Sequence, residues 1–148
     1  MERLRGSAET TVDEKGRFKV PAVFRESIEE AYGVDLFITS LTGDDVLIYP
    51  MPVWNGFEEK LAKLPAVHRT KAKFLERFNT FGQEGRMDAQ GRVLIPSLLR
   101  DSARIAGDAL VLGQTDSLKL VDKKRHLESL KAIQITDEDY DELARHLV

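Results

Sequence analysis

Asp13-Glu14-Lys15-Gly16-Arg17-Phe18-Lys19-Val20-Pro21-Ala22-Val23-Phe24-Arg25 returns as Asp88-Ala89-Gln90-Gly91-Arg92-Val93-Leu94-Ile95-Pro96-Ser97-Leu98-Leu99-Arg100, 75 residues later. Five of the thirteen positions are identical (Asp, Gly, Arg, Pro, Arg), and most of the others exchange one apolar residue for another. Downstream, Leu36-Phe37-Ile38 answers to Leu110-Val111-Leu112, and Asp45-Val46-Leu47-Ile48-Tyr49 to Asp116-Ser117-Leu118-Lys119-Leu120. A repeat at fixed spacing is the first thing to settle in a sequence, because it decides the architecture. Here it divides the chain into a first unit (7–53), a linker (54–81), a second unit (82–125) and a C-terminal tail (126–148).

Each unit reads as strand, turn, strand, helix, strand, strand, an α+β pattern. Residues 9–12 and 17–20 are predicted strands around a turn where Gly16, or Gly91 in the second copy, accepts a positive φ. Phe18 and Val20 then point to one side and Arg17 and Lys19 to the other. Pro21 ends the strand and suits a helix start, since its missing N–H is not needed there. Val23, Phe24, Ile28 and Tyr32 recur at helical spacing, and Gly33 provides the stop. Strands are expected near 35–40 and 45–49. The linker is predicted helical, with one apolar stripe through Val53, Trp54, Phe57, Leu61 and Leu64, a break at Pro65, and a second stripe through Phe74, Leu75, Phe78 and Phe81. In the tail, Thr136 is a helix cap with acids behind it. A unit this small buries little surface. Two interlocked copies, related by a pseudo-two-fold axis and completing each other's sheet, solve that difficulty.

The chain carries 22 Lys and Arg against 25 Asp and Glu, a net charge of −3, which by itself argues against nucleic acid. The charge is sorted, however. Residues 60–77 hold Lys60, Lys63, Arg69, Lys71, Lys73 and Arg77 against Glu76 alone, whereas 137–142 hold five acids and no base. There is no cysteine, which excludes a disulfide framework, a thiolate metal site and a thiol nucleophile. His68, His126 and His146 are far apart, and no His-Glu-x-x-His pair, Gly-x-Ser-x-Gly elbow or P-loop is present. We therefore expect no enzyme, no metal and no cofactor. The apolar runs are far short of the roughly 20 residues that a membrane helix needs. No apolar segment follows the basic start, so no signal peptide is expected and the cytoplasm is the expected compartment.

Two readings apply to Asp13 with Arg17 and to Asp88 with Arg92. One is a brace, in which the carboxylate accepts turn N–H groups and pairs with the Arg four residues on. The other is a guanidinium presented to a phosphate or a guanine edge. They are compatible, since a positioned Arg is also a braced one. Lys15 and Lys19 add charge in the first copy, where the second has Gln90 and Leu94, so the first hairpin is expected to dominate contact with a polyanion. Arg3 and Arg5 precede the first hairpin and Arg86 precedes the second.

The repeated Asp-x-x-x-Arg hairpin, with Gly before the Arg and an apolar-Pro pair after it, resembles the AbrB/SpoVT swapped-hairpin DNA-binding fold. The duplication, Arg5-Gly6 and Leu47-Ile48-Tyr49-Pro50-Met51-Pro52-Val53-Trp54 together are similar to the MraZ family, bacterial regulators encoded at the head of the division and cell-wall gene cluster. The resemblance implies two swapped-hairpin barrel halves interlocked in one chain with flanking helices, assembled into a closed homo-oligomeric ring. It implies transcriptional regulation in the cytoplasm, associated with the nucleoid, through short direct repeats in promoter DNA. DNA contact carries over to Arg17 and Arg92, with Asp13 and Asp88 as orienters. Lys15 and Lys19 match basic positions of the same hairpin, and Arg3, Arg5 and Arg86 are further candidate contacts. A protein-binding, antitoxin-like module on the same fold is the alternative, motivated by the acidic C-terminal segment; a purely structural assembly is a third.

Overall fold

The computed structural model describes residues 3–147. Met1 and Glu2, part of the basic N-terminal segment, and Val148, the last residue of the tail, lie outside the described residues. The first copy comprises β1 (Ser7–Val12), β2 (Arg17–Lys19), α1 (Ala22–Tyr32), β3 (Asp35–Thr39) and β4 (Val46–Pro50). The linker comprises α2 (Met51–Ala62) and α3 (Arg69–Phe81). The second copy comprises β5 (Gln83–Arg86), β6 (Arg92–Leu94), α4 (Ser97–Ala103), β7 (Gly107–Gly113) and β8 (Leu118–Asp122). Two helices, α5 (Lys123–Ala132) and α6 (Asp137–Leu147), follow.

Local chemistry accounts for the element ends. Pro21 and Pro96 stand just before α1 and α4, with φ near the value that the proline ring imposes. Gly33 ends α1 at φ 90°, its N–H bonded to the carbonyls of Ile28 and Glu29. The second helix is shorter because Arg104 takes a left-handed conformation (φ 52°) and turns the chain away. Helix α2 starts at Met51 with Pro52 in its first turn, ahead of the linker boundary at 54 drawn from the sequence. Helix α3 has a cap that apolar periodicity does not reveal: the Lys71 N–H donates to His68 Nδ1 at 3.2 Å. Before α6, the Asp139 N–H donates to Thr136 Oγ1 and the Thr136 N–H to Asp139 Oδ2, so the expected cap forms reciprocally.

The fold is α+β, with an antiparallel sheet in the order β1-β7-β8-β4-β3-β5 and a separate two-stranded ribbon of β2 and β6. Strand β1 pairs with β7 of the second copy, and β5 pairs with β3 of the first. The last strands of the two copies, β4 and β8, pair in the middle. Exchanging the copies leaves this order unchanged. The same relation holds for the side chains of the single core, where Phe18 and Val93, Val20 and Ile95, and Phe24 and Leu99 occupy matching buried positions. Burying each such side chain contributes about 1.5–3 kcal/mol. The sharing of one core answers the shortage of burial that a lone unit would face. A second packing centre lies under the linker, where Trp54 stacks on Phe37 (centroids 4.5 Å apart) and meets Tyr49, Phe57 and Phe78. The apolar stripe of α2 therefore faces inward, with Trp54 buried and Val53, Phe57 and Leu61 half-buried, whereas Leu64 beyond its end and Phe74 on α3 are partly exposed.

Candidate nucleic-acid interface

The two turns are built alike. The Gly16 N–H donates to the Asp13 carbonyl and the Asp13 N–H to the Arg17 carbonyl, closing a turn that Gly16 enters at φ 84°. Asp13 Oδ1 accepts from the N–H groups of Lys15 and Arg17, both at 2.9 Å, while Oδ2 accepts from Arg17 Nε at 3.1 Å. In the second turn, Asp88 Oδ1 accepts from Gln90 and Arg92, and Oδ2 accepts from Arg92 Nε at 3.2 Å. The backbone N–H of the arginine, above all, holds each Asp carboxyl below its ordinary pKa, assisted by the guanidinium. Both aspartates are thus charged at neutral pH, and each fixes its arginine through Nε. The terminal amino groups of the guanidinium remain for another acceptor, which in the second copy includes Gln90 Oε1 at 3.1 Å. The side chains of Arg17 and Arg92 are 38% and 41% exposed, so neither is sealed inside.

The ribbon turns two hairpins into one surface. Its register pairs Arg17 with Leu94, Phe18 with Val93, and Lys19 with Arg92. Phe18 and Val93 are buried, so the alternation of the strand puts Arg17, Lys19, Arg92 and Leu94 on the outer face. Lys19 and Arg92 sit directly opposite each other. Like charges in that position are destabilising in an isolated sheet. Among the described residues, neither Lys15 nor Lys19 has an ion-pair partner. Positive charge is therefore left over on this face, whatever the net charge of the chain.

The structure also assigns a role to Arg25 and Arg100, the identical residues that end the repeated stretch. Arg25 Nη2 donates to the Ala89 carbonyl at 2.6 Å, and Arg100 Nη1 donates to the Glu14 carbonyl at 2.7 Å. Each copy thus holds the turn of the other. A Cβ on Gly91 would lie 2.8 Å from Arg25 Cδ, and one on Gly16 would lie 3.1 Å from Arg100 Cδ. The two turn glycines are required by this close approach as well as by φ. Two ribbon hydrogen bonds complete the lock, from Val20 N–H to the Gly91 carbonyl and from Ile95 N–H to the Gly16 carbonyl. Periodicity and charge pattern give this pair of arginines no role; their identity in the repeat is the signal that marks them.

The other candidates are dispersed. Arg3 and Arg5 are exposed and flank Leu4, which bridges to Thr115 in the turn between β7 and β8. Strand β1 rises about 3.3 Å per residue and separates them from the Gly16 turn by its whole length. They are near the hairpin in sequence but not in space. Arg86 ends β5, opposite Asp35 at 3.8 Å, and lines a shallow hollow with Arg25, Met87 and Asp88 beside the second turn. In the basic linker, Lys71 Nζ donates to the Leu64 carbonyl and Arg77 Nη1 to the Leu41 carbonyl, so part of that charge is structural. Among the described residues, no group of three or more His, Asp or Glu side chains is placed to hold a metal ion. No helix among them is long and apolar enough to cross a membrane.

The family model described as "MraZ protein, putative antitoxin-like" matches residues 4–77 and 82–142, one segment over each copy of the repeat. The chain belongs to the MraZ family. Relatives named "Transcriptional regulator MraZ" are similar over nearly its full length. That of Acidobacterium capsulatum is 44% identical over 141 residues, covering 95% of this chain and 97% of the relative. That of Koribacter versatilis is 42% identical over 138 residues, covering 92% and 93%. That of Caldanaerobacter subterraneus subsp. tengcongensis is 34% identical over 144 residues, covering 97% and 96%. The MraZ match spans both Asp-x-x-x-Arg turns, all of α2 and the first part of α3.

Proposed function

We propose that this chain is a transcriptional regulator that binds promoter DNA through the outer face of the β2–β6 ribbon. The observation that carries the reading is the ribbon register, which gathers Arg17, Lys19 and Arg92 on one exposed face. Asp13 and Asp88 orient the two guanidiniums, and Lys15 extends the charge beside the first turn. A two-stranded ribbon fits the major groove. The names of the relatives support regulation of transcription, and the resemblance of the hairpins supports the division and cell-wall gene cluster as the target. The exchange of matching strands supports a double swapped-hairpin barrel around a pseudo-two-fold axis.

The working form in this reading is a closed homo-oligomeric ring acting in the cytoplasm at the nucleoid. One ribbon makes only a few phosphate contacts, and such contacts weaken steeply with salt. Repeating the ribbon around a ring adds roughly 10²–10⁴ in avidity on tandem sites. Contacts between unlike faces close into rings. Helices α5 and α6 support this, because Leu130, Ile133, Tyr140 and Leu143 are exposed within the single chain. The acidic face of α6 also complements the basic linker of a neighbour.

The test is Arg17→Ala and Arg92→Ala, assayed by fluorescence anisotropy on DNA from upstream of the chain's own gene at several salt concentrations. Each variant is expected to bind more weakly and to flatten the log–log salt slope by about 1 per lost phosphate contact. Unchanged affinity in a folded variant overturns the reading. The antitoxin-like description and the exposed acidic helix favour one other reading, a protein-binding module. Co-purification of a stoichiometric partner, without salt-dependent DNA binding, is the result that would select it.

A further inference from the structure

The outer face of the ribbon holds one residue that is not a cation. Leu94 is 58% exposed, lies opposite Arg17, and shares its face with Lys19 and Arg92. Single exposed leucines are ordinary on protein surfaces, but this chain contains its own control. The matching position of the first copy holds Lys19, also exposed, at the end of the equivalent strand β2. The backbone therefore accepts a lysine there, and packing does not demand a leucine. A second copy of the chain is a poor cover for Leu94, because it would have to desolvate three neighbouring cations. DNA satisfies those cations with phosphates and offers one apolar group at its base edges, the C5-methyl of thymine.

We infer that Leu94 is a specificity-determining residue that packs on a thymine methyl group in the groove the ribbon enters; this rests on the DNA-binding reading above. Guanidiniums on either side engage backbone or guanine edges, and the leucine separates thymine from cytosine. The ribbon then differs at its two matching outer positions, with a phosphate-seeking Lys19 at one and a base-reading Leu94 at the other.

The experiment compares two duplexes from upstream of the chain's own gene, one with thymine and one with deoxyuridine at every thymine position. Uracil pairs as thymine does and lacks only the methyl. The full-length wild type is expected to bind the deoxyuridine duplex about 4-fold more weakly per methyl contacted. Leu94→Ala should bind the thymine duplex more weakly by a similar factor and bind both duplexes equally. Leu94→Lys, which installs the residue of the other copy, should also ignore the methyl and should steepen the log–log salt slope by about 1. Equal wild-type binding to both duplexes, or discrimination retained by Leu94→Ala, overturns the inference while leaving DNA binding intact. A fall in particle mass for Leu94→Ala in light scattering assigns the residue to a contact between copies and also overturns it. Failure of the wild type to bind either duplex with salt dependence removes the DNA reading and this inference together.

Discussion

Replacing Gly91 by alanine strikes the point where one copy grips the other. The residue sits at φ 78°, where a side chain costs roughly 1–2 kcal/mol. The new Cβ would also lie 2.8 Å from Arg25 Cδ, 3.0 Å from Nε and 3.1 Å from Nη1. A guanidinium approached along its whole length cannot swing only its tip aside. It must leave the Ala89 carbonyl and Glu29 Oε1, which accepts from Arg25 Nε at 3.0 Å, partly exposed bonds together worth about 0.5–1.5 kcal/mol. The expected loss is about 1.5–3.5 kcal/mol, which lowers the unfolding midpoint by roughly 3–14 °C for a chain of this size. Gly16→Ala should cost less, because its nearest contact is 3.1 Å and the next is 3.4 Å. A double-mutant cycle with Arg25→Ala isolates the clash. Once the arginine is gone, Gly91→Ala pays only for φ, so the double variant should be more stable than additivity predicts by about 0.5–1.5 kcal/mol. Urea unfolding of the four proteins measures this. Strict additivity, or a Gly91→Ala no costlier than Gly16→Ala, would refute the clamp.

Other perturbations test other parts of the structure. Trp54→Ala empties the centre of the aromatic cluster under α2 and should cost about 3–5 kcal/mol, read by calorimetry since it removes the only tryptophan. The Asp13 and Asp88 carboxyls titrate below their unfolded value of 3.8 in the native state, so their contribution is present above that value and is lost as pH falls through the lower native one. Thermal melts should therefore decline in that acid window, and Asp13→Asn with Asp88→Asn should blunt the decline. Truncation before Asp137 should leave the midpoint of the remaining chain nearly unchanged, because α6 buries none of its residues, but should reduce particle mass in light scattering.

Much of the architecture was legible because the repeat writes its punctuation twice. Asp13, Gly16, Arg17 and Pro21 each have a local physical reason, and recurrence at 88, 91, 92 and 96 removes chance as an explanation. The need for the copies to complete each other followed from their size alone. Partners distant in sequence were harder to see. Arg25 reaches a carbonyl 64 positions away and Arg100 one 86 positions away, and a carbonyl leaves no mark in a sequence because every residue has one. Arg3 and Arg5 are the converse case, since β1 separates them from the Gly16 turn that follows closely in sequence. Nor did the charge pattern show that Lys19 would face Arg92. That adjacency belongs to the register between copies, and it makes one composite surface where the sequence suggests two hairpins of unequal strength.

The pairing of β1 with β7 and of β5 with β3 has a consequence for connectivity. The segment joining α2 to α3 carries exposed residues from Leu64 to Val67 and lies within the linker that connects the copies. Cut there, neither fragment has a finished sheet, and each displays the strand that the other lacks. The two pieces are built to find each other and reassemble, as separate one-repeat chains would. In the intact chain, the linker acts as a tether that sets their effective concentration and ensures that unlike rather than identical copies meet. That pairing of unlike copies is what frees Leu94 to differ from Lys19.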